Sequence, residues 1–493
     1  MLRLIIRQTN WAILGNFLTF LLGLIVTTYV VRELGTELWG QYKAAHDFVI
    51  ISDTVLSLGF PFVILKFFPN LIQYDLEKSK SIINSIFKYL IVSSLLFISI
   101  VFFFQDVLSN LLYSDYNDFS FLLFLVCLHV PISLFLGIIN SLYRSILKIK
   151  ELIIYGSVVY SLIRATLTFI IFHYTEFLDL KIRLFYFVSI ELFGQLVILF
   201  ILYFLLNKRI KIFSKKFTFN SAPVDEKIRE YGWVMYKNSL ISLLSTQAIP
   251  FLLSILLLAE QRGMYAIMLT VTGVSMFLNK NLRKVFSPII SKLFLEEKIN
   301  KMNEIYKDTT FILNIFTIPF SFLLIFFIDE LLLIFKLEYQ QIIYCKPLII
   351  ILIISKMLAL MVGNSGSIMT MAGNEREETS IQFIRGSGNI IFVLLFLYFM
   401  NYGLEAVVLI VFCSTLFEAS SQFYFIKKKI GITPFNKDFT NLILFSLPII
   451  SYAIFQNIDI NVLHYFFIPI LIYLLYYILF FKKINTVYNK IKK

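Results

Sequence analysis

Apolar runs separated by short polar segments recur along the whole chain, and most runs are close to the length of a membrane-crossing helix. About 20 apolar residues span the hydrocarbon core of a bilayer. Fourteen segments meet or approach that length: 11–31, 41–65, 85–104, 119–143, 152–173, 183–206, 233–258, 263–286, 309–328, 346–369, 381–400, 403–426, 442–457 and 462–481. Each predicts a spanning helix. The second carries Asp47 and Asp53, and the thirteenth is short and holds Pro448. The first reads as a span and not as a signal peptide. Its apolar run is too long, no small-residue cleavage site follows, and another span comes at once.

Composition agrees with the pattern. Of 493 residues, 59% are hydrophobic and only 15% charged. Mean hydropathy is +0.82. A soluble core stops growing at about 250–300 residues, so this apolar content excludes a soluble enzyme. It also excludes a disordered chain and a disulfide scaffold. The 44 Lys and Arg exceed the 31 Asp and Glu, for a net charge of +13. With an N-terminus in the cytoplasm, most of these cations sort to cytoplasmic loops, including the basic stretch 207–232. That asymmetry sets orientation; it predicts both termini in the cytoplasm and makes a nucleic-acid partner unnecessary.

The three cysteines, Cys127, Cys345 and Cys413, show no CxxC spacing, and the four histidines form no HExxH. No metal and no cofactor is expected. There is no GxxxxGK[ST] loop to cradle phosphates and no GxSxG nucleophile elbow. The loops expected outside are short. A membrane glycan polymerase or ligase typically carries a large outside loop, so the pattern favours a transporter over an enzyme.

One short motif occurs twice. Glu37, Gly40 and Tyr42 follow the first span; Glu260, Gly263 and Tyr265 follow the seventh, 223 residues on. Both read E-x-x-G-x-Y. The expectation is an outside helix-to-helix turn, with glycine permitting the turn and tyrosine anchoring at the interface. Six spans per repeat give both halves the same orientation. That places parallel repeats about an axis along the membrane normal, with a path between them. The predicted organisation is 1–210 as a six-helix bundle, 211–232 as a basic cytoplasmic linker, 233–430 as a second six-helix bundle, and 431–493 as two further helices and a basic tail.

The run RELGTELWGQY, with Leu34, Gly35, Glu37, Gly40 and Tyr42, together with the 6+6+2 layout, resembles the polysaccharide or O-antigen flippase family. That family belongs to the multidrug/oligosaccharidyl-lipid/polysaccharide exporter superfamily. The turns Tyr143–Glu151 and Met371–Glu377 resemble the family's turns after the fourth and tenth helices, the first without its usual glycine. The resemblance implies an all-α, V-shaped pair of bundles working by alternating access in the cytoplasmic (inner) membrane. Its cargo would be a polyprenyl-linked oligosaccharide lipid carried from the inner to the outer leaflet, among membrane lipids and alongside other polysaccharide assembly proteins.

Charges inside spans are expensive, roughly 2.5–3.5 kcal/mol at the bilayer centre on insertion scales. Arg164 and Lys356 lie deepest. Lys237 is in the first turns of the seventh span, and Lys280, Arg283 and Lys284 share one face of the eighth. Arg164, Lys356, Lys237, Lys280 and Arg283 are candidates for binding an anionic lipid headgroup. For Arg164 and Lys356 the alternative is a buried pair with Glu191 or Asp53; for Arg283 and Lys284 it is snorkelling to the interface. Asp53, Glu191, Asp47 and Glu418 are candidates for H+ or Na+ coupling or for counter-ions. Pro250, inside the seventh span, is the hinge candidate. Competing readings are a lipid II-type peptidoglycan precursor flippase, a drug/cation antiporter of the same superfamily and, outside transport, a membrane glycan polymerase or ligase.

Overall fold

A computed structural model describes residues 2–113, 119–210, 226–444, 446 and 478–480. The chain divides into two compact units, Met1–Ala266 and Ile267–Lys493. Among the described residues every regular element is helical, and ten helices are long and apolar enough to cross a membrane.

In the first unit, α1 (Leu2–Leu56) is followed by α2 (Phe60–Tyr74), α3 (Leu76–Leu112), α4 (Phe119–Cys127), α5 (His129–Ser145) and α6 (Ile149–Glu151). A π-helical turn, Leu152–Val158, leads into α7 (Val159–Tyr174). Then come α8 (Leu180–Ile210), α9 (Glu226–Leu256) and α10 (Ala259–Gly273), which runs past Ala266. The first two expected spans form the single run α1, broken at Gly35 by a backbone of φ 82° and ψ 173°. Only glycine adopts such a conformation without strain. A second break follows at Gly59, with φ 72°, and Pro61 then sits in the first turn of α2, where its missing N–H costs nothing. Asp75 caps α3 by accepting the Lys78 amide at 3.0 Å. α1 packs on α4, α5, α7, α8 and α9; α2 packs on α5, and α5 on α8. Because α9 packs on α1 and α2, the first unit extends beyond residue 210 and across the segment expected as a linker, of which 211–225 lie outside the described residues.

In the second unit a 3-10 turn, Val274–Met276, precedes α11 (Phe277–Leu295), α12 (Ile299–Phe326), α13 (Ile328–Ile334), α14 (Tyr339–Met361), α15 (Ser365–Met371) and α16 (Glu375–Val393). A π-helical turn, Leu394–Phe399, separates α16 from α17 (Leu404–Lys429). α17 packs on α14, α15 and α16, and α12 on α11 and α14. Phe286, Ile290, Met302, Tyr306, Ile368 and Ile426 form its buried core.

The tenth expected span is two helices, not one. The chain unwinds between α14 and α15, where Gly363 has φ 63°. α12 satisfies the freed carbonyls: the Tyr306 hydroxyl donates to Val362 O at 2.6 Å and Asn314 Nδ2 to Leu360 O at 2.9 Å. Irregular backbone at membrane depth needs such internal partners.

The ten apolar helices and the fourteen expected spans differ at three places. The first two spans merge into α1. The eighth, 263–286, is divided by the 3-10 turn and carries Lys280, Arg283 and Lys284, so it is not among the ten. The last two, 442–457 and 462–481, lie almost wholly outside the described residues.

Candidate functional site

The repeated motif has a different role from the one expected. Gly40 and Gly263 are inside helices, and the turn before the first copy is made at Gly35. A Cβ on Gly40 would overlap the Ala259 carbonyl oxygen, and one on Gly263 would overlap that of Thr36. Thr36 and Ala259 each stand four residues before their motif's glycine, so the two copies pack reciprocally, backbone on backbone. Glycine is present for close approach. Glu37 and Glu260 are exposed, at the start of the second half of α1 and in the first turn of α10, where a carboxylate complements the helix dipole. Tyr42 and Tyr265 are not interfacial anchors. They are 3% and 2% exposed.

Tyr42 faces a polar cavity of about 200 Å³ in the first unit. Its walls are Tyr42, His46, Val49, Ile50, Asp53 and Thr54 from α1, His129 and Ser133 from α5, Tyr160 from α7, and Glu191 and Gln195 from α8. The α1 residues recur at three and four positions, one helical stripe. The Tyr42 hydroxyl donates to Glu191 Oε2 at 2.7 Å, and Arg164 Nε lies 2.8 Å from Glu191 Oε1. Ser133 Oγ donates to Asp53 Oδ1 at 2.6 Å, and His129 Nδ1 lies 3.0 Å from Gln195 Oε1. Arg164 also lies 5.2 Å over the Phe187 ring. Of the two expectations for Arg164, the buried pair with Glu191 is the arrangement present.

Asp47 is turned elsewhere. It is buried and ion-paired with Arg262, while Ser254 Oγ donates to its Oδ2 at 3.2 Å. Lys43, one turn earlier on α1, consequently lies over aromatic rings, 4.6 Å from the centroid of Trp39 and 5.4 Å from that of Tyr42. Arg183 pairs with Glu33 at 2.8 Å. Arg183 and Arg262 are buried and Lys43 is half-buried, because helix ends and turns here are themselves packed.

The second unit holds a related cluster. Arg385 Nη1, on α16, donates to Glu418 Oε2, on α17, at 2.6 Å. Gln382 Nε2 donates to Glu418 Oε1 at 2.7 Å and to Glu378 Oε1 at 3.0 Å. Gln422 Nε2 donates to both Glu378 oxygens at 3.0 Å, and Gln422 Oε1 accepts from Ser365 Oγ at 2.6 Å. Each unit thus pairs an arginine of one helix with a glutamate of the next: α7 with α8, and α16 with α17. The pairing was not anticipated from sequence, although Glu378, Gln382, Arg385 and Asn389 make a visible polar stripe on an otherwise apolar span.

The other expected residues are dispersed. Lys356 is half-buried in α14; Lys237 is exposed, 5.8 Å over Trp233; Arg283 is exposed. The side chain of Lys280 lies outside what the structure describes. Pro250 is inside α9, which continues through it, and its carbonyl accepts from Ser254 Oγ at 2.9 Å. Among the described residues no group of three His, Cys, Asp or Glu is placed to hold a metal ion.

A bundle of apolar helices holding paired buried charges and a polar cavity is the fold of a polytopic membrane protein. Residues 5–294 match the model of a family described as polysaccharide biosynthesis protein, and the chain belongs to that family, within the multidrug/oligosaccharidyl-lipid/polysaccharide exporter superfamily. A search of curated proteins returns no match. Among solved structures, the fold is similar to the lipid II flippase MurJ in an inward closed conformation, at 17% identity and TM-score 0.72, covering 96% of this chain and 99% of that one. It is also similar to an inward-facing multidrug resistance MATE family transporter, at 13% identity and TM-score 0.65, covering 84% and 94%. A third is a superfamily transporter from Pyrococcus furiosus, at 15% identity and TM-score 0.58, covering 87% and 95%.

Proposed function

We propose that this protein carries a polyprenyl-(pyro)phosphate-linked oligosaccharide from the inner to the outer leaflet of the cytoplasmic membrane, for O-antigen, capsule or exopolysaccharide synthesis. The observation that carries the reading is the family match over residues 5–294. The fourteen-span, 6+6+2 layout with both termini in the cytoplasm belongs to the same proposal, and so does alternating access.

Lys356 is the candidate contact for the anionic headgroup, because it is a half-buried cation within an apolar helix. Arg164 takes part through its buried pair with Glu191. Asp53 and Glu191 are the carboxylates on the cavity wall that an H+- or Na+-coupled cycle would use.

A peptidoglycan precursor is the second reading, favoured by the likeness to a lipid II flippase over 96% of the chain. Proteoliposomes holding the purified chain and a fluorescent polyprenyl diphosphate oligosaccharide test both. Leaflet exchange of that lipid, with no exchange of labelled lipid II, is the expected result. Exchange of lipid II alone establishes the second reading, and exchange of neither overturns both. Lys356→Ala at equal protein density is expected to slow exchange by about tenfold, the cost of one charge-assisted hydrogen bond.

A further inference from the structure

We propose that the cavity of the first unit is a saccharide subsite, taking a sugar ring of the cargo and not its phosphate; this rests on the flippase reading above. The argument begins with what the wall can still bond. Gln195 Oε1 is a carbonyl oxygen and only accepts, so the neighbouring His129 Nδ1 carries the proton. In a neutral imidazole, Nε2 is then an acceptor. His129 is 4% exposed, and its Nε2 meets no partner among the described residues. Asp53 receives one hydrogen bond, from Ser133, which leaves its second oxygen with capacity to accept. The His46 imidazole makes no hydrogen bond to a described residue; its ring lies 5.9 Å from that of Tyr42.

The wall is therefore rich in acceptors. A phosphate is itself an acceptor-only anion and is repelled by such a wall. Arg164 is already committed to Glu191, and Lys43 lies over the Trp39 and Tyr42 rings. A sugar ring instead brings several hydroxyl donors, each able to reach a carboxylate or an imidazole nitrogen, and apolar C–H faces for aromatic rings. Tyr160 supplies such a ring. At about 200 Å³ the cavity has room for a compact ring.

The test compares two labelled lipids in the same proteoliposomes: polyprenyl diphosphate bearing one N-acetylhexosamine, and bare polyprenyl phosphate. His46→Gln and His129→Gln are made singly in the full-length chain. Each is expected to slow exchange of the glycosylated lipid by about tenfold while leaving exchange of the bare lipid within about twofold of wild type. Retained exchange of the bare lipid shows that the variants fold and cycle. An equal loss for both lipids overturns the subsite, because the cavity then serves the cycle itself, as an ion site would. No loss for either lipid in both variants also overturns it. Wild-type protein that exchanges the bare lipid but not the glycosylated one removes the saccharide role directly. Wild-type protein that exchanges neither overturns the flippase reading, a result separate from any variant effect.

Discussion

Gly40 and Gly263 stand against each other so closely that neither position has room for a side chain. A Cβ on Gly263 would lie 3.2 Å from the Gly40 nitrogen and one on Gly40 2.8 Å from the Gly263 nitrogen, and each would overlap a carbonyl oxygen of the facing helix. Backbone cannot move aside as a flexible side chain can. Gly40→Ala and Gly263→Ala are each expected to destabilise the protein by about 1–3 kcal/mol, the usual cost of overpacking. Gly23→Ala is the control, since nothing lies within 4 Å of its Cβ position. It is expected to be neutral or to gain up to roughly 1 kcal/mol of helix stability. Thermal unfolding in detergent measures all three.

Arg164 and Glu191 form a pair that is safe together and costly apart. Removing one member of a buried pair leaves an uncompensated charge and costs about 3–5 kcal/mol. Arg164→Ala is expected to lower the unfolding temperature more than the double variant Arg164→Ala with Glu191→Gln. A double variant that is as unstable as the sum of the single variants would show that the two do not interact.

Tyr42→Phe removes the second contact to Glu191, a 2.7 Å hydrogen bond to a carboxylate. A bond to a charged group contributes about 1.5–3 kcal/mol. The ring packing against Trp39, Phe187 and His46 is kept. The expected loss in stability therefore stays within that range, and calorimetric unfolding of the two proteins side by side checks it.

Asp47→Asn and Arg262→Gln break the ion pair that joins α1 to α10. Each is expected to destabilise by several kcal/mol, for the same reason as at Arg164. In Asp47→Asn, Arg262 loses its carboxylate; in Arg262→Gln, Lys43 lies one helical turn from an unpaired Asp47 and can take over part of the pairing. Arg262→Gln should therefore be the milder of the two, read from unfolding temperatures.

Tyr306→Phe strands the Val362 carbonyl in the unwound segment between α14 and α15. Leaving a buried acceptor unsatisfied costs about 1–3 kcal/mol. Hydrogen exchange of residues 360–368 is expected to rise in the variant more than exchange in α12 itself.

Spans were legible because hydrophobic length is a local property: twenty apolar residues identify a crossing helix without reference to any neighbour. The E-x-x-G-x-Y repeat was legible as a repeat for the same reason. Its meaning was not, because close approach is a property of two segments and Gly40 and Gly263 are 223 residues apart. The cations show the same division. Arg164 was visible as a charge at membrane depth, but the partners of Arg385, Arg262 and Arg183 were not. A shift of a few positions in a helix end decides whether a charge is solvated or buried, and such ends are set by packing.

The sequence by itself determined that this chain is an all-helical, multi-pass membrane protein with a repeated motif and charges it must shelter. Only the tertiary structure decided how they are sheltered: Arg164 by Glu191, Arg262 by Asp47, and Arg385 by Glu418. The physical reason is that the cost of a buried charge is fixed by its residue type and depth, whereas its relief depends on a partner that sequence distance does not reveal.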